Sequence, residues 1–375
     1  MKTIADLASG YTDEPGYFDF ARWGPISRAV ADEQRSLVEV QARARFGSEI
    51  ALTEQSGRVV RAVSSLIGFA PDHVVFQPNT SEGLMHTLFG LTGQVLMSPR
   101  DYPSMPVAAA RSAEALRVLE PVWMDLDHDV VTPAVVQRHL TDSVTAVAVS
   151  LVDYRTGYLV DLEGIRQVIG DRLLIVDAIQ GFGVVDAPWS LADVVLTGGQ
   201  KWLRAGWGTG FSAFSDRALS RLSPVLSGIG GSELELGGSY EVAPPPLPGA
   251  AAFRLGNPDP IAQARLATSL EQLAEVGVAA VSDAVAERAA RLLELADEAA
   301  VPVASPRDPA ERAGIVVLEP APDQLTTLTA ALLNHGVTAR VRAGTIRLSA
   351  HVSTGEDTFS LLRSALTSSA TTVLY

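Results

Sequence analysis

The sequence predicts an α/β protein: a mostly parallel sheet flanked by helices, followed by a smaller α+β domain at the C-terminal end. Three features predict it. Short apolar, β-branched runs alternate with segments of helical length, the pattern of a sheet covered on both faces. A chain of 375 residues exceeds the usual span of one hydrophobic core, so a large domain and a smaller one are expected. Beyond a Gly- and Pro-rich stretch at residues 228–249, the pattern changes to long Ala-, Leu- and Glu-rich segments.

The strand-like runs are residues 73–78, 94–99, 146–152, 173–179, 193–199 and 208–215. Between them, 81–90, 104–116 and 162–169 are long enough to serve as the crossover helices that parallel strands require. The large domain is therefore expected over residues 25–258, with 1–24 as an N-terminal segment packing on the small domain. Residues 260–276 and 281–300 read as helices leading out of the large domain. The rest of 259–375 gives a strand at 314–318, a helix at 322–335, strands at 338–342 and 345–349, and a helix after Gly355. Residues 368–375 are expected to fray.

Composition narrows the function. Hydrophobic residues make up 47% and charged residues 19%, an ordinary globular balance rather than that of a disordered chain. A net charge of -14 argues against nucleic acid, whose phosphates demand clustered Lys and Arg. The first ten residues carry no basic region followed by an apolar stretch, and no segment has the roughly 20 apolar residues that span a bilayer. A cytoplasmic enzyme is expected. The absence of cysteine excludes disulfides, thiolate metal sites, iron-sulfur ligation and thiol nucleophiles. His73, His86, His128, His139, His335 and His351 lack the spacing of a helical metal site, so no metal is expected.

Of 29 basic residues only Lys2 and Lys201 are lysine, and the other 27 are arginine. Arginine serves surface charge and ion pairs, but it stays protonated and forms no imine with a carbonyl. The surroundings of Lys201 give its retention a chemical meaning. The run that begins at Leu173 ends at Asp177, followed by Ala178, Ile179 and Gln180; the next ends in Thr197-Gly198-Gly199-Gln200-Lys201-Trp202. Parallel sheets present ligands at the carboxyl ends of their strands, so a carboxylate and a rare lysine are delivered to one crevice. Pyridoxal phosphate (PLP) chemistry uses that pair: the lysine holds the aldehyde as a Schiff base and the carboxylate keeps the ring nitrogen protonated. Earlier, Asn79-Thr80-Ser81-Glu82-Gly83 offers hydroxyls and free amides at a helix N-terminus, as a phosphate cradle would. An ordinary Thr or Ser cap fits locally as well. Asp177 and Lys201 favour the cradle.

The chain resembles the class V aminotransferase superfamily, fold type I of the PLP enzymes, over nearly its whole length. The matching stretches are YFDFARWGP (17–25), QPNTSEG (77–83), VSLVDYRTG (149–157), IVDAIQG (175–181), TGGQKWLRAGWGTG (197–210), FRLGNP (253–258) and TIRLS (345–349). The resemblance implies a mostly parallel seven-stranded sheet with PLP bound at the carboxyl ends of its strands. It also implies roles for individual residues: Asp177 at the pyridine nitrogen, Gln180 near the phenolic oxygen, Lys201 in the Schiff base, and Thr80 and Ser81 on the phosphate. Tyr102 would stack over the ring, and Asp153, Thr197 and Gln200 would complete the cofactor site. Asn257 matches a position that reaches the partner subunit's phosphate, which implies a homodimer with shared sites. Arg347, and with it Arg340, would bind the carboxylate of an amino-acid substrate, a task suited to a planar bidentate donor. Gly198 departs from the pattern, since relatives often carry a phosphate-binding Ser there.

The reaction is less tightly specified. Cysteine desulfurases share the pattern but need a cysteine for the persulfide, so that reading is excluded. Kynureninases are echoed by Asp153-Tyr154-Arg155-Thr156-Gly157 and Gly256-Asn257-Pro258, although an Asn of that family is Asp153 here. Transamination, epimerisation and β-elimination share a first step, removal of the α-proton, which Lys201 can perform in all three. An aminotransferase is favoured. A carbon-sulfur β-lyase, a kynureninase-like carbon-carbon lyase and an amino-acid epimerase stand as alternatives, with a non-catalytic PLP-binding module behind them.

Overall fold

A computed structural model describes residues 2–43, 45–126, 129–234 and 237–372. His128 and the last positions of the expected frayed end, 373–375, lie outside the described residues. The chain opens with α1 (Ile4–Ser9), α2 (Arg28–Ala42) and α3 (Ser48–Ile67). It then alternates β1 (Val74–Phe76), α4 (Thr80–Gly90), β2 (Gly93–Met97), α5 (Ser104–Leu116), β3 (Leu119–Trp123), α6 (Pro133–His139), β4 (Val144–Ser150), α7 (Leu162–Ile169) and β5 (Leu173–Asp177). β6 (Val194–Gly198), β7 (Gly210–Phe214) and α8 (Asp216–Arg221) complete this part. α9 (Pro260–Val276) and α10 (Val278–Glu298) precede β8 (Ile315–Leu318), α11 (Pro322–Asn334), β9 (Arg340–Arg342), β10 (Thr345–Ser349) and α12 (Glu356–Thr372).

The large sheet has seven strands in the order β1-β7-β6-β5-β4-β2-β3. β7 runs antiparallel to both its neighbours, and the remaining pairs are parallel. Strand residues alternate between two cores, as a period of two requires: Val147, Val149, Leu174 and Val176 face one helical layer, and Ala146, Ala148, Leu173 and Ile175 the other. The second sheet is antiparallel, in the order β8-β10-β9, and its own core takes side chains from α10, α11 and α12. Phe18, from the N-terminal stretch, is buried in that core.

Two differences from the sequence reading have physical causes. β3 was not expected, because Leu119-Glu120-Pro121-Val122-Trp123 is a half-exposed edge strand whose Glu and Pro break the apolar pattern. The last helix does not fray at Ser368 but continues to Thr372, anchored by the buried Leu366 and Ser369. α9 lies against α2 and α3, and it is α10 that reaches β8 and α12.

The stretch before α2 positions the site. Tyr17 bridges Thr338 and Asp19 bridges Ser349, so this stretch borders the small sheet. The Gln180 side-chain amide then donates to the Ala21 carbonyl at 3.0 Å, and the Gly24 amide donates to the Gln200 carbonyl at 2.8 Å. A side chain at Gly24 would collide with the Lys201 carbonyl, so only glycine permits this approach.

Candidate active site

β5 and β6 are adjacent and parallel, with Asp177 in register with Leu196. Asp177 therefore ends one strand beside Gly198, the end of the next, and Lys201 follows in a tight turn. That turn is held from both ends: the Gly199 amide donates to the Thr209 carbonyl at 2.7 Å, and the Ala205 amide to the Gly199 carbonyl at 2.8 Å. Both side chains open on a cleft of about 880 Å³ between the two sheets. Such a volume suits a cofactor together with a small substrate.

Burial governs the charges at its base. It pushes the Asp177 carboxyl up to about 6, against the hydrogen bond from the Ile179 amide (3.0 Å) and the nearby Lys201. Burial also brings the Lys201 ammonium down to about 8, with Asp177 acting in the opposite sense. The lysine is thus far closer to its nucleophilic neutral form near neutral pH than a solvated lysine. The Tyr102 ring centre lies 5.3 Å from Lys201 Nζ, so an aromatic face borders the amine.

Thr80 and Ser81 open α4, whose N-terminus is capped by the Asn79 side chain accepting from the Glu82 amide at 2.9 Å. The Thr80 hydroxyl is buried without a partner, and Ser81 shares a 2.8 Å hydrogen bond with Ser104. Gly198 keeps this corner open: a Cβ there would meet the Thr80 hydroxyl at 3.0 Å and run into the Gln200 side chain. The departure from Ser at this position makes room rather than adding a donor. Gln180 lines the cleft while its carbonyl oxygen accepts from Trp202 Nε1 at 2.9 Å, which fixes which way its amide points.

The opposite wall belongs to the small sheet. Arg347 lines the cleft, donates to the Tyr154 carbonyl at 3.1 Å and stands 3.5 Å from Asp19 Oδ1; its Nε is buried without a partner. The sequence suggested a guanidinium awaiting a carboxylate, whereas Asp19 already provides one. Burial pushes the Asp19 carboxyl up and Arg347 acts against it. Arg340 lines the same wall.

Thr80, Ser81, Tyr102, Asp177, Gln180, Gln200, Lys201, Arg340 and Arg347 are therefore brought to one cleft. Asp153, Thr197 and Asn257 are not among its lining residues. Asp153 is occupied by Arg155, which donates from Nη2 at 2.6 Å; Thr197 donates to the Gly198 carbonyl at 3.3 Å; Asn257 is exposed. The sequence reading missed Tyr154, Arg155 and Arg342 in the cleft, and Asp101 beside it. Burial pushes the Asp101 carboxyl up to about 7; a hydrogen bond with Ser150 opposes this, and the charges of Asp177 and Asp153 add to it. Its place next to Tyr102 was the one signal available.

The fold and the lysine-carboxylate pair define a fold type I PLP enzyme, and comparison with known proteins gives the family. The chain belongs to the aminotransferase class-V family, whose model matches residues 36–364. Kynureninase from Deinococcus radiodurans is 30% identical over 186 residues, 47% of this chain and 44% of that one, so the match spans under half of the relative's length. The cysteine desulfurase of Thermococcus onnurineus NA1 superposes with a TM-score of 0.83 at 21% identity, over 97% of both chains. A complex of the cystine C-S lyase C-DES with cysteine persulfide gives 0.84 at 17% identity, over 94% of this chain and 97% of the other. At these identities the two structures speak for the fold.

The family's cofactor is pyridoxal 5'-phosphate, and the residues present fit it. A partnerless buried hydroxyl at a helix N-terminus suits a phosphate, a lysine amine made less basic by burial suits an aldehyde, and a buried carboxylate suits a pyridinium.

Proposed function

We propose that this protein acts on an α-amino acid and that its reaction is transamination. The observation that supports this best is the convergence of Lys201, Asp177 and Arg347 on one cleft. In this reading Lys201 holds the cofactor covalently, Asp177 keeps the ring nitrogen protonated, and Thr80 and Ser81 hold the phosphate. When bound, the cofactor's ring withdraws electrons from the bonds at the substrate Cα. Arg347, steadied by Asp19 and the Tyr154 carbonyl, orients the substrate through its carboxylate so that the Cα hydrogen faces Lys201 Nζ. The substrate's amino group would displace Lys201 from the cofactor, and the freed lysine amine would then take up that proton from Cα. Tyr102 and Gln180 fix the plane in which this happens.

A lyase is the second reading, favoured by the stretch shared with kynureninase. A desulfurase mechanism through a protein persulfide is closed, because the chain has no cysteine. Each protein amino acid and kynurenine, offered with and without a 2-oxo acid acceptor, separates the two. Transamination predicts one equivalent of oxo acid per site without acceptor, sustained turnover with it, and no ammonia. Sustained release of ammonia, thiol or an aromatic amine without acceptor would replace the transaminase with a lyase.

The working unit in this reading is a homodimer. Asn257 is exposed outside its own cleft, and the nearby Ile229 and Leu255 are 65% and 54% exposed. Large apolar side chains that meet solvent beside a polar group suit a subunit interface.

A further inference from the structure

The cleft is far more cationic than an acidic chain would suggest. Arg22, Arg100, Arg155 and Arg347 line it, and each has a carboxylate within ion-pair distance: Asp19, Asp129, Asp153 and Asp19 respectively. Arg340 and Arg342 also line it, yet among the described residues neither has such a partner. Glu319 at the rim pairs with neither.

Their placement follows from the strand. Residues two apart on β9 share a face. Register sets Arg340 opposite Arg347 and Arg342 opposite Thr345, and all four side chains line the cleft. Arginine on an edge strand ordinarily guards against pairing with other chains, and such a guard points outward. Here the two arginines, though solvent-exposed, border the cleft. Like charges directly opposite each other across an antiparallel pair repel, and Arg340 and Arg342 both weigh against the charged form of Arg347, behind burial and against the larger favourable pull of Asp19. An anion lying among the three would remove that repulsion.

We propose that Arg340 and Arg342 form an anion subsite beside Arg347, and that the substrate is an α-amino acid whose side chain ends in an acidic group. The inference rests on the functional reading above and names its substrate class. Directly opposed residues stand about 5 Å apart at Cβ, so the second acidic group sits one short side chain from the α-carboxylate. Arg347 takes the α-carboxylate and the two arginines of β9 take the other.

The test uses the full chain loaded with cofactor. Turnover of L-glutamate and L-aspartate is compared with that of L-glutamine and L-asparagine, which match them in size without the charge. Phosphoserine against serine separates phosphate from carboxylate. Calorimetric binding of glutarate and butyrate adds an affinity that needs no turnover. We expect the acidic member of at least one pair to be preferred at least about tenfold in kcat/KM, and glutarate to bind more tightly than butyrate by a similar factor. Arg340→Gln and Arg342→Gln should each reduce both preferences about tenfold. Equal use of acids and neutral partners, or variants that slow both members of a pair alike, would overturn the inference. A chain that carries cofactor on Lys201 but shows no acidic preference loses the subsite and keeps the functional reading. A chain that takes no cofactor yet binds glutarate through Arg342 keeps the subsite and loses that reading.

Discussion

Lys201 is buried beside Asp177, and the two influences oppose each other: burial favours the neutral amine, the carboxylate favours the ammonium. Burial wins, bringing the amine to about 8. The neutral fraction of the unloaded protein therefore climbs through pH 7 and levels off above about 8, whereas a solvated lysine keeps gaining neutral amine to about pH 10. Capture of PLP by apoprotein, followed by absorbance, should accelerate roughly tenfold per pH unit below 8 and then flatten. Continued acceleration to pH 10 would mean that burial does not control this amine. Lys201 and Asp177 were legible because each combines a rare or charged residue type with the end of an apolar run. Asp19, Asp101 and Arg342 were not, because their importance comes from neighbours distant in sequence. Nothing in Tyr17-Phe18-Asp19 announces that the carboxylate will meet Arg347.

The elements that matter most to the site are the loop after β6 and the stretch before α2, and one buried ion pair joins them. Arg204, wholly buried, pairs with Asp13, lies 3.5 Å from the Tyr11 ring centre, and donates to Ser353 at 2.7 Å. Ser353 in turn donates to Asp13 at 2.6 Å. This ties the chain just after Lys201 both to the N-terminal stretch and to the loop beyond β10. Removing one member leaves a buried charge without its partner, so Asp13→Asn should lower unfolding stability by about 3–5 kcal/mol in urea titration. A loss below about 1 kcal/mol would show that the pair is not what binds these segments. The helices Ser104–Leu116, Leu162–Ile169 and Pro260–Val276 and the strand Thr345–Ser349 were readable to the residue, since apolar periodicity and turn residues agree at their ends. The packing of the N-terminal stretch was not readable, because a short irregular segment has no period and its partners lie in both sheets. The division of the chain at residues 24 and 258 remains a proposal, and the Asp13–Arg204 pair shows how closely those parts are bound.

For the whole molecule, the alternation of apolar runs revealed a parallel sheet, but it could not give the antiparallel direction of β7. That direction is fixed by the Lys201 loop, which turns back on itself between β6 and β7. Sedimentation at micromolar concentration should find a dimer. A fully active monomer would remove Asn257 from any shared site. More direct than any of these is the covalent bond itself. Borohydride reduction of the PLP-loaded protein, followed by peptide mapping, should place the pyridoxyl label on Lys201 alone; a label on Lys2, or none on either lysine, would contradict the assignment.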